Sequence, residues 1–162
     1  MEELVKLRSK EDIEHKITRK AAEVSILIKN TLQDSSVDDP IPLLEVEDKI
    51  LVKILEYLEH FNGTTPSEIE KPLKSQVLKE VTDEWSANFI EATTLELLVD
   101  LTVAANYMEI QCLLDLCCAK IASMCKDKSE EEIFKTFGIT ETFSEEEKAK
   151  IREENKWIEE NL

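Results

Sequence analysis

The residues of this chain that could carry out chemistry are few and scattered. All four cysteines fall within positions 112–125, and the two histidines, His15 and His60, lie far from them. The cysteines lack the paired spacing of a zinc site, and no histidine stands near them to activate a thiol. Only two glycines, Gly63 and Gly138, are present, which excludes a glycine-rich phosphate loop. Because the carboxylates fall in solvated runs, we expect no enzymatic activity, no cofactor and no metal.

The cysteines belong to an apolar pattern of helical spacing. Such a pattern is typical of a buried helix face, in which cysteine serves as a small hydrophobic residue. A redox role is the alternative. The residues that follow the pattern are Ile110, Leu113, Leu114, Cys117, Cys118, Ile121, Met124 and Cys125.

Composition restricts the partners that the protein can bind. The chain has 162 residues, of which 42% are hydrophobic and 35% charged, and its formal net charge is −16. Nucleic acid and anionic lipid are therefore excluded as partners, because like charges repel and no basic stripe is present. No apolar run approaches the roughly 20 residues that span a membrane, and the N-terminus lacks an apolar signal segment. We expect a cytoplasmic and nuclear protein.

Periodicity predicts an α+β fold in which helices pack on a small sheet. Two strands form a hairpin near the N-terminus, and the helix that follows is expected to turn Ala22, Ile26 and Leu32 inward. Residues 62–84 read as a variable loop with one helical turn near 75–79. The chain becomes helical again from Trp85. The other predicted elements are strands within 4–7, 15–18 and 41–44, and helices over 21–32, 46–61, 94–105 and 110–124, the last two forming an antiparallel pair.

Two N-capping signals follow position 126. Ser129 and Ser144 each precede three glutamates, a capping-box pattern with acidic residues in the first helical turn. Gly138 is suited to end the first helix in the left-handed conformation. We therefore predict helices over 130–137 and 145–159.

These two helices carry more apolar area than they can bury in each other. Burying one large apolar side chain contributes about 1.5–3 kcal/mol, and an isolated helix of this length is marginal in water. The side chains either dock on the preceding domain or bind another protein. They are Phe134, Phe137, Ile139, Phe143, Ile151 and Trp157.

Four stretches resemble the S-phase-kinase-associated adaptors of cullin-based ubiquitin ligases, which hold F-box proteins. They are VSILIKNTLQD (24–34), DDPIPLLEVEDKILVKILEYLEH (38–60), AANYMEIQCLLDLCCAKIASM (104–124) and SEEEIFKTFGITETFSEEEKAKIREENKWIEE (129–160). Their order matches the family. The related elongin C proteins share the first domain but lack the two terminal helices, so they are less similar.

The resemblance implies a BTB/POZ domain over residues 1–125 and F-box-binding helices over 126–162. It also implies a non-catalytic adaptor that bridges cullin to F-box proteins. The AANY motif makes Asn106 and Tyr107 the candidate cullin contacts, and Asn155 would supply a hydrogen bond at the edge of the F-box groove. The candidate F-box contacts are Leu114, Cys118, Ile121, Cys125, Ile133, Phe137, Ile139, Phe143, Ile151, Asn155 and Trp157.

The sequence also departs from the family pattern. Many members have proline where Glu130 and Glu145 stand, and some eukaryotes hydroxylate and glycosylate the second proline. We expect no such modification here. Phe134 replaces a basic residue and adds apolar surface. The alternative function is a BTB/POZ module that self-associates, as a homodimer, outside ubiquitin ligases.

Overall fold

The computed structural model describes residues 3–34, 39–140 and 143–159. The chain divides into two compact units, Met1–Lys126 and Asp127–Leu162. Each unit is considered separately.

A three-stranded sheet opens the first unit. Strands β1 (Leu4–Arg8) and β2 (Glu14–Thr18) pair antiparallel, and β3 (Ile41–Pro42) pairs parallel to β1, which gives the order β2-β1-β3. Alternate residues of β1, Val5 and Leu7, are buried. The period-2 pattern thus turns one face of the strand toward the core, and the predicted hairpin is confirmed.

Helices supply the rest of this unit. They are α1 (Arg19–Ala22), α2 (Ile26–Asp34), α3 (Asp48–Phe61), α4 (Glu84–Glu91), α5 (Leu95–Tyr107) and α6 (Gln111–Cys125), with a 3₁₀ turn at Leu78–Glu80. Together with the sheet they confirm the α+β prediction.

The central helix α3 follows its amphipathic pattern. The helix is followed by its C-cap Asn62, which adopts the left-handed conformation with φ 42°. The apolar residues of the helix recur at helical spacing and are buried, and they are Ile50, Leu51, Ile54, Leu55 and Leu58. Helix α5 begins at its N-cap Thr94 and packs against α6. These helices form the support on which the candidate surfaces lie.

The single helix predicted over 21–32 is wrong. The chain leaves the helical path after Ala22 and resumes it at Ile26. Directly before Ile26, the buried Ser25 hydroxyl donates a hydrogen bond to the Met108 carbonyl at 2.5 Å and accepts one from the Ile28 N–H at 3.2 Å. The expectation that Ile26 faces inward is also wrong, since this side chain is 46% exposed. A partner 83 residues away along the chain therefore decides where α2 begins.

The second unit contains α7 (Glu130–Phe137), α8 (Glu145–Glu154) and α9 (Lys156–Glu159). Both predicted capping boxes are present, and Gly138 ends α7 with φ 65°. The single helix predicted over 145–159 is wrong, because Asn155 interrupts it. The Ile151 carbonyl accepts hydrogen bonds from both the Asn155 backbone N–H at 3.0 Å and the Asn155 side-chain Nδ2 at 2.8 Å. Asparagine side chains that bond to nearby backbone groups in this way are unfavourable within a helix.

Candidate functional site

Four of the predicted F-box contacts lie along one strip of α6. Leu114, Cys118, Ile121 and Cys125 recur at intervals of three and four residues, so they share one side of the helix. Leu114 and Ile121 pack partly against the core, whereas Cys118 is exposed. The strip therefore combines residues that pack partly in the core with residues that are accessible to a partner.

A neighbouring side of α6 packs into the core. Leu113, Leu116 and Cys117 are buried there. Burial raises the pKa of the Cys117 thiol to about 12, because the thiolate would lose its hydration. This cysteine therefore behaves as a small hydrophobic residue, while Cys118 presents its thiol to solvent.

The other predicted F-box contacts lie in the second unit. Along α7 and α8, whose residues are all described, no residue is buried. Ile133 and Phe137 are one turn apart on α7 and are half-buried. The remaining apolar contacts are more open, with exposed fractions of 44% for Ile139, 54% for Phe143, 39% for Ile151 and 62% for Trp157.

Such exposure is unusual for side chains of this size in a helical segment. A cluster of exposed apolar residues rimmed by charge is typical of a protein-interaction surface. Asn155 is also exposed, next to Trp157 on the C-terminal side of α8. Because one of its amide hydrogens already serves the Ile151 carbonyl, the predicted bond to a partner would use the second hydrogen or the amide oxygen.

The predicted cullin contacts lie at the C-terminal end of α5. The Asn106 side chain is exposed, while Tyr107 is half-buried and packs against the core. The helix ends immediately afterwards, where the Glu109 N–H donates to the Asn106 carbonyl at 3.1 Å and Glu109 adopts φ 53°. This turn holds the Asn-Tyr pair at a fixed corner of the first unit.

Sequence reasoning missed two apolar residues of this region. Val103, one turn before Asn106 and Tyr107, is 64% exposed, and Leu44, just after β3, is 66% exposed. Glu45 and Val46 line a shallow depression of about 110 Å³ together with Val103, so the loop that carries Leu44 adjoins α5. In the sequence, each of these residues is recognisable only as an apolar residue among polar neighbours. That pattern does not predict which segments of the chain pack against each other.

An ion-pair network borders this depression. The Lys49 ammonium lies 3.2 Å from a Glu47 carboxylate oxygen and 3.8 Å from one of Asp100. The Glu47 hydrogen bond raises the pKa of Lys49, with Coulomb attraction adding to it. The pairs are exposed, so their effect is on the shape and charge of the surface more than on stability.

The described residues offer these surfaces and no metal site. Among residues 3–34, 39–140 and 143–159, no group of three or more histidines, cysteines and carboxylates is placed to hold a metal ion. No helix in the same part of the chain is long and apolar enough to cross a membrane. The arrangement is one of non-covalent contact surfaces.

Comparison with known proteins identifies the family. Residues 3–63 match the model of the Skp1 family tetramerisation domain, and residues 111–158 match that of the Skp1 family dimerisation domain. The S-phase kinase-associated protein 1 homolog of Tetrahymena thermophila is 47% identical over 96% of this chain and 94% of its own length. The chain belongs to the Skp1 family.

Other similar proteins carry names from the same family. The E3 ubiquitin ligase complex SCF subunit sconC of Arthroderma benhamiae is 41% identical over 96% of this chain and 95% of its own. The suppressor of kinetochore protein 1 of Schizosaccharomyces pombe is 39% identical over 96% of this chain and 97% of its own.

Skp1-family membership confirms the resemblance, and the fold confirms a small sheet with packed helices followed by C-terminal helices. The assignment of single residues to F-box or cullin binding stays a prediction. So does the functional division of the chain at residue 125.

Proposed function

We propose that this Skp1-family protein is a non-catalytic adaptor of an SCF-type E3 ubiquitin ligase, which bridges cullin to F-box substrate receptors. The observation that carries the proposal is the set of large apolar side chains left exposed in the second unit. The names of the relatives, which include SCF subunits, support it. Ubiquitin transfer would be performed by other subunits of the ligase.

The F-box half of the proposal depends on apolar burial. Phe143 and Trp157 are both more than half exposed, and covering each with a partner helix would contribute about 1.5–3 kcal/mol. Aromatic residues of this kind commonly dominate the energetics of an interface. The many glutamates around them would select partners with basic residues at the rim of the interface.

The Trp157→Ala substitution tests this half. We expect F-box affinity in a calorimetric titration to fall by at least about tenfold, which is about 1.4 kcal/mol. Lys156→Ala, a change at the neighbouring exposed residue, is the control and should stay within about twofold. Equal affinity of Trp157→Ala and wild type would contradict the assignment of Trp157 to the F-box surface.

The cullin half depends on Asn106 and Tyr107, with the exposed Val103 one turn before them on α5. We expect Asn106→Lys combined with Tyr107→Ala to abolish cullin capture in a pull-down while F-box capture is retained. Asn88→Lys on α4, an exposed asparagine elsewhere, is the charge-matched control. Loss of both captures by the double variant would indicate misfolding and remove the support for a separate cullin surface.

Self-association is the second candidate function. It is favoured by the descriptions of the two matching family models, which are a dimerisation and a tetramerisation domain. Light scattering of the chain alone over a range of concentrations separates the two functions. A stable oligomer that fails to bind F-box domains would favour the self-associating module.

We also propose that the protein resides in the cytoplasm and the nucleus, where a ubiquitin-ligase adaptor would meet its partners. Fluorescence microscopy of the tagged full chain tests this, and exclusion from both compartments would contradict it.

A further inference from the structure

A cavity of about 290 Å³ lies in the first unit, where α3, α4, the first turns of α6 and the loop after α3 meet. Part of its lining is buried, namely Tyr57, Ile69, Ser86 and Leu116. Other lining residues, such as Glu68, are exposed, so the cavity opens to solvent. Its volume is at the lower end of the range for small-molecule sites. We call this feature the Tyr57 cavity.

The Tyr57 hydroxyl is the unusual group of this cavity. The residue is only 1% exposed, and its hydroxyl oxygen has no hydrogen-bond partner among residues 3–34, 39–140 and 143–159. Buried polar groups are usually hydrogen-bonded, because an unpaired one loses its hydration without replacement. The neighbouring Cys112 thiol, which also lines the cavity, is only a weak acceptor. The phenol therefore retains an unused donor.

Neighbouring rings fix the direction of this hydroxyl. The centroid of the Tyr57 ring lies 4.9 Å from that of Phe61 and 5.5 Å from that of Phe89. Burial raises the pKa of Tyr57 above its ordinary value of 10, because the phenolate would lose its hydration. The hydroxyl thus keeps its proton at neutral pH and is held ready to donate it to an acceptor that enters the cavity.

Ser86, another buried polar residue of the cavity, already has its partner. Its hydroxyl donates to the Asp83 carboxylate at 2.6 Å, and its backbone N–H donates to the same carboxylate at 2.8 Å. The Ser86 proton is therefore in use. At the buried side of the cavity, the donor that a ligand would meet is the Tyr57 hydroxyl.

Carboxylates lie at the open side of the cavity. Glu68 is exposed there, and Asp115 projects from α6. The Asp115 carboxylate is already paired with the Lys71 ammonium at 3.1 Å and with the Gln111 amide at 3.0 Å. Together with the formal net charge of −16, these carboxylates disfavour an anionic ligand.

We propose that the Tyr57 cavity binds a small uncharged molecule with an aliphatic body and a carbonyl oxygen, which accepts the hydrogen bond of the Tyr57 hydroxyl. The aliphatic body packs against the buried side chains of Ile69 and Leu116. A charged group at the buried side would be desolvated without an ion partner. Cyclic ketones and lactams have the required chemistry.

This site is independent of the proposed adaptor function. None of the candidate F-box or cullin residues lines the Tyr57 cavity. Failure of the adaptor proposal would leave this inference standing, and failure of this inference would leave the adaptor proposal standing.

The test compares two probes of nearly equal shape on the full chain. Cyclohexanone has a carbonyl oxygen, whereas methylenecyclohexane has a CH₂ group in its place and accepts no conventional hydrogen bond. We expect cyclohexanone to bind at least about fivefold more tightly, as one additional hydrogen bond would give. An NMR titration measures both affinities from the amide shifts of Ile69 and Cys112. Equal affinities, or no binding of cyclohexanone up to its solubility limit, would overturn the proposal.

The Tyr57→Phe substitution removes only the hydroxyl. Phenylalanine fills the same ring space and leaves no unpaired donor, so we expect the variant to fold, which circular dichroism verifies. Its affinity for cyclohexanone should fall at least about fivefold, while that for methylenecyclohexane should stay within about twofold. Unchanged cyclohexanone affinity in the folded variant would contradict the proposed hydrogen bond. If the variant does not fold, the comparison of the two probes on the wild-type chain decides.

A third probe tests the charge of the ligand. Cyclohexanecarboxylate should bind at least about tenfold more weakly than cyclohexanone, because Glu68 and Asp115 repel it. Tighter binding of the carboxylate would overturn the assignment of an uncharged ligand. Cyclohexanone shifts confined to the exposed apolar residues Phe143 and Trp157 would show non-specific adsorption and would also overturn the proposal.

Discussion

The two units of this chain are stabilised by different interactions. In Met1–Lys126 a continuous core includes the sheet residues Val5 and Leu7 and the α3 residue Leu51, all fully buried. In α7 and α8 nothing is buried, and the clearest stabilising features are the two capping boxes. The first unit is thus held by side-chain packing, while the described helices of the second rely on local hydrogen bonds and leave their apolar residues half-buried or exposed.

This difference has a functional consequence. A surface that is fully used for a unit's own core cannot bind a partner, whereas one left open can contribute its burial free energy to association. The second unit retains that free energy for binding. The first unit uses most of it in folding. Among its described residues, the large apolar ones left exposed are aliphatic, and they are Leu4, Ile13, Ile26, Leu44, Val52, Val77, Val99 and Val103.

The largest expected effect is a difference in the free energy of unfolding between side-chain truncations in the two units. Leu51→Ala removes a fully buried side chain and should lower the free energy of unfolding by about 2–5 kcal/mol. Trp157→Ala, at a 62% exposed position, should change it by less than about 0.5 kcal/mol. Urea denaturation followed by circular dichroism measures both. Similar losses would mean that Trp157 is part of the core and that the contrast is wrong.

A smaller effect is expected from the helix caps. Each capping serine accepts a hydrogen bond from a backbone N–H three residues on, at 3.3 Å for Ser129 and 3.2 Å for Ser144. Replacing one by alanine should cost its helix about 1 kcal/mol. We expect faster amide exchange over 130–137 in Ser129→Ala and over 145–154 in Ser144→Ala.

The first unit serves as the internal reference for this experiment, since its exchange should not change. Thr94→Ala is a matched control, because Thr94 caps α5 in the same way but that helix also packs in the core. If amide exchange in α7 and α8 is no faster in the Ser129→Ala and Ser144→Ala variants than in the wild type, the capping serines do not stabilise these helices.

The smallest effect is a dependence on pH. The Ser129 N–H donates to Glu132, and the Ser144 N–H donates to Glu147, which lowers the pKa of both carboxyls below the ordinary 4.5. A lowered folded-state pKa stabilises the helix above the unfolded pKa, and this contribution is lost as the pH falls through the folded value. Helix content in the tail should therefore decrease on acidification below about pH 4.5.

The matched variant for this titration is Glu132→Gln combined with Glu147→Gln. Glutamine preserves the geometry of the capping box but does not titrate, so the acid-induced loss at 130–137 and 145–154 should be reduced. The amide chemical shifts of Ser129 and Ser144, followed by NMR as the pH is lowered, measure this loss of helix in the wild type and in the variant. An identical pH profile in wild type and variant would exclude the carboxylates as its cause.

Most helices of the first unit could be predicted from sequence because their signals are local. The apolar stripe of α3 and the N-cap Thr94 of α5 lie within the elements that they define. Periodicity likewise predicted the apolar face of α6, whereas the assignment of four of its residues to F-box binding came from the family resemblance. The break at Asn155 was missed although its partner, Ile151, is only one turn away, because an asparagine near a helix end is compatible with either outcome.

Other features could not be derived locally. The loop 62–84 was expected to be variable, yet its Ile69 is buried and its Lys71 pairs with Asp115 on α6. Likewise Val46 and Val103, which line one depression, belong to segments far apart in the chain. Their proximity depends on how α5 packs beside the β3–α3 connection, which no periodicity encodes.

The sequence by itself determined the net charge of −16, the ends of most helices and the family. These depend on composition, on contacts within a turn or on residue order. The tertiary structure alone decided where α2 begins, which residues of the loop 62–84 contact α6 and which apolar residues stay exposed. Those outcomes depend on partners distant in sequence, such as Met108 for Ser25 and Asp115 for Lys71. Only the packed fold brings such groups within a few ångströms of each other.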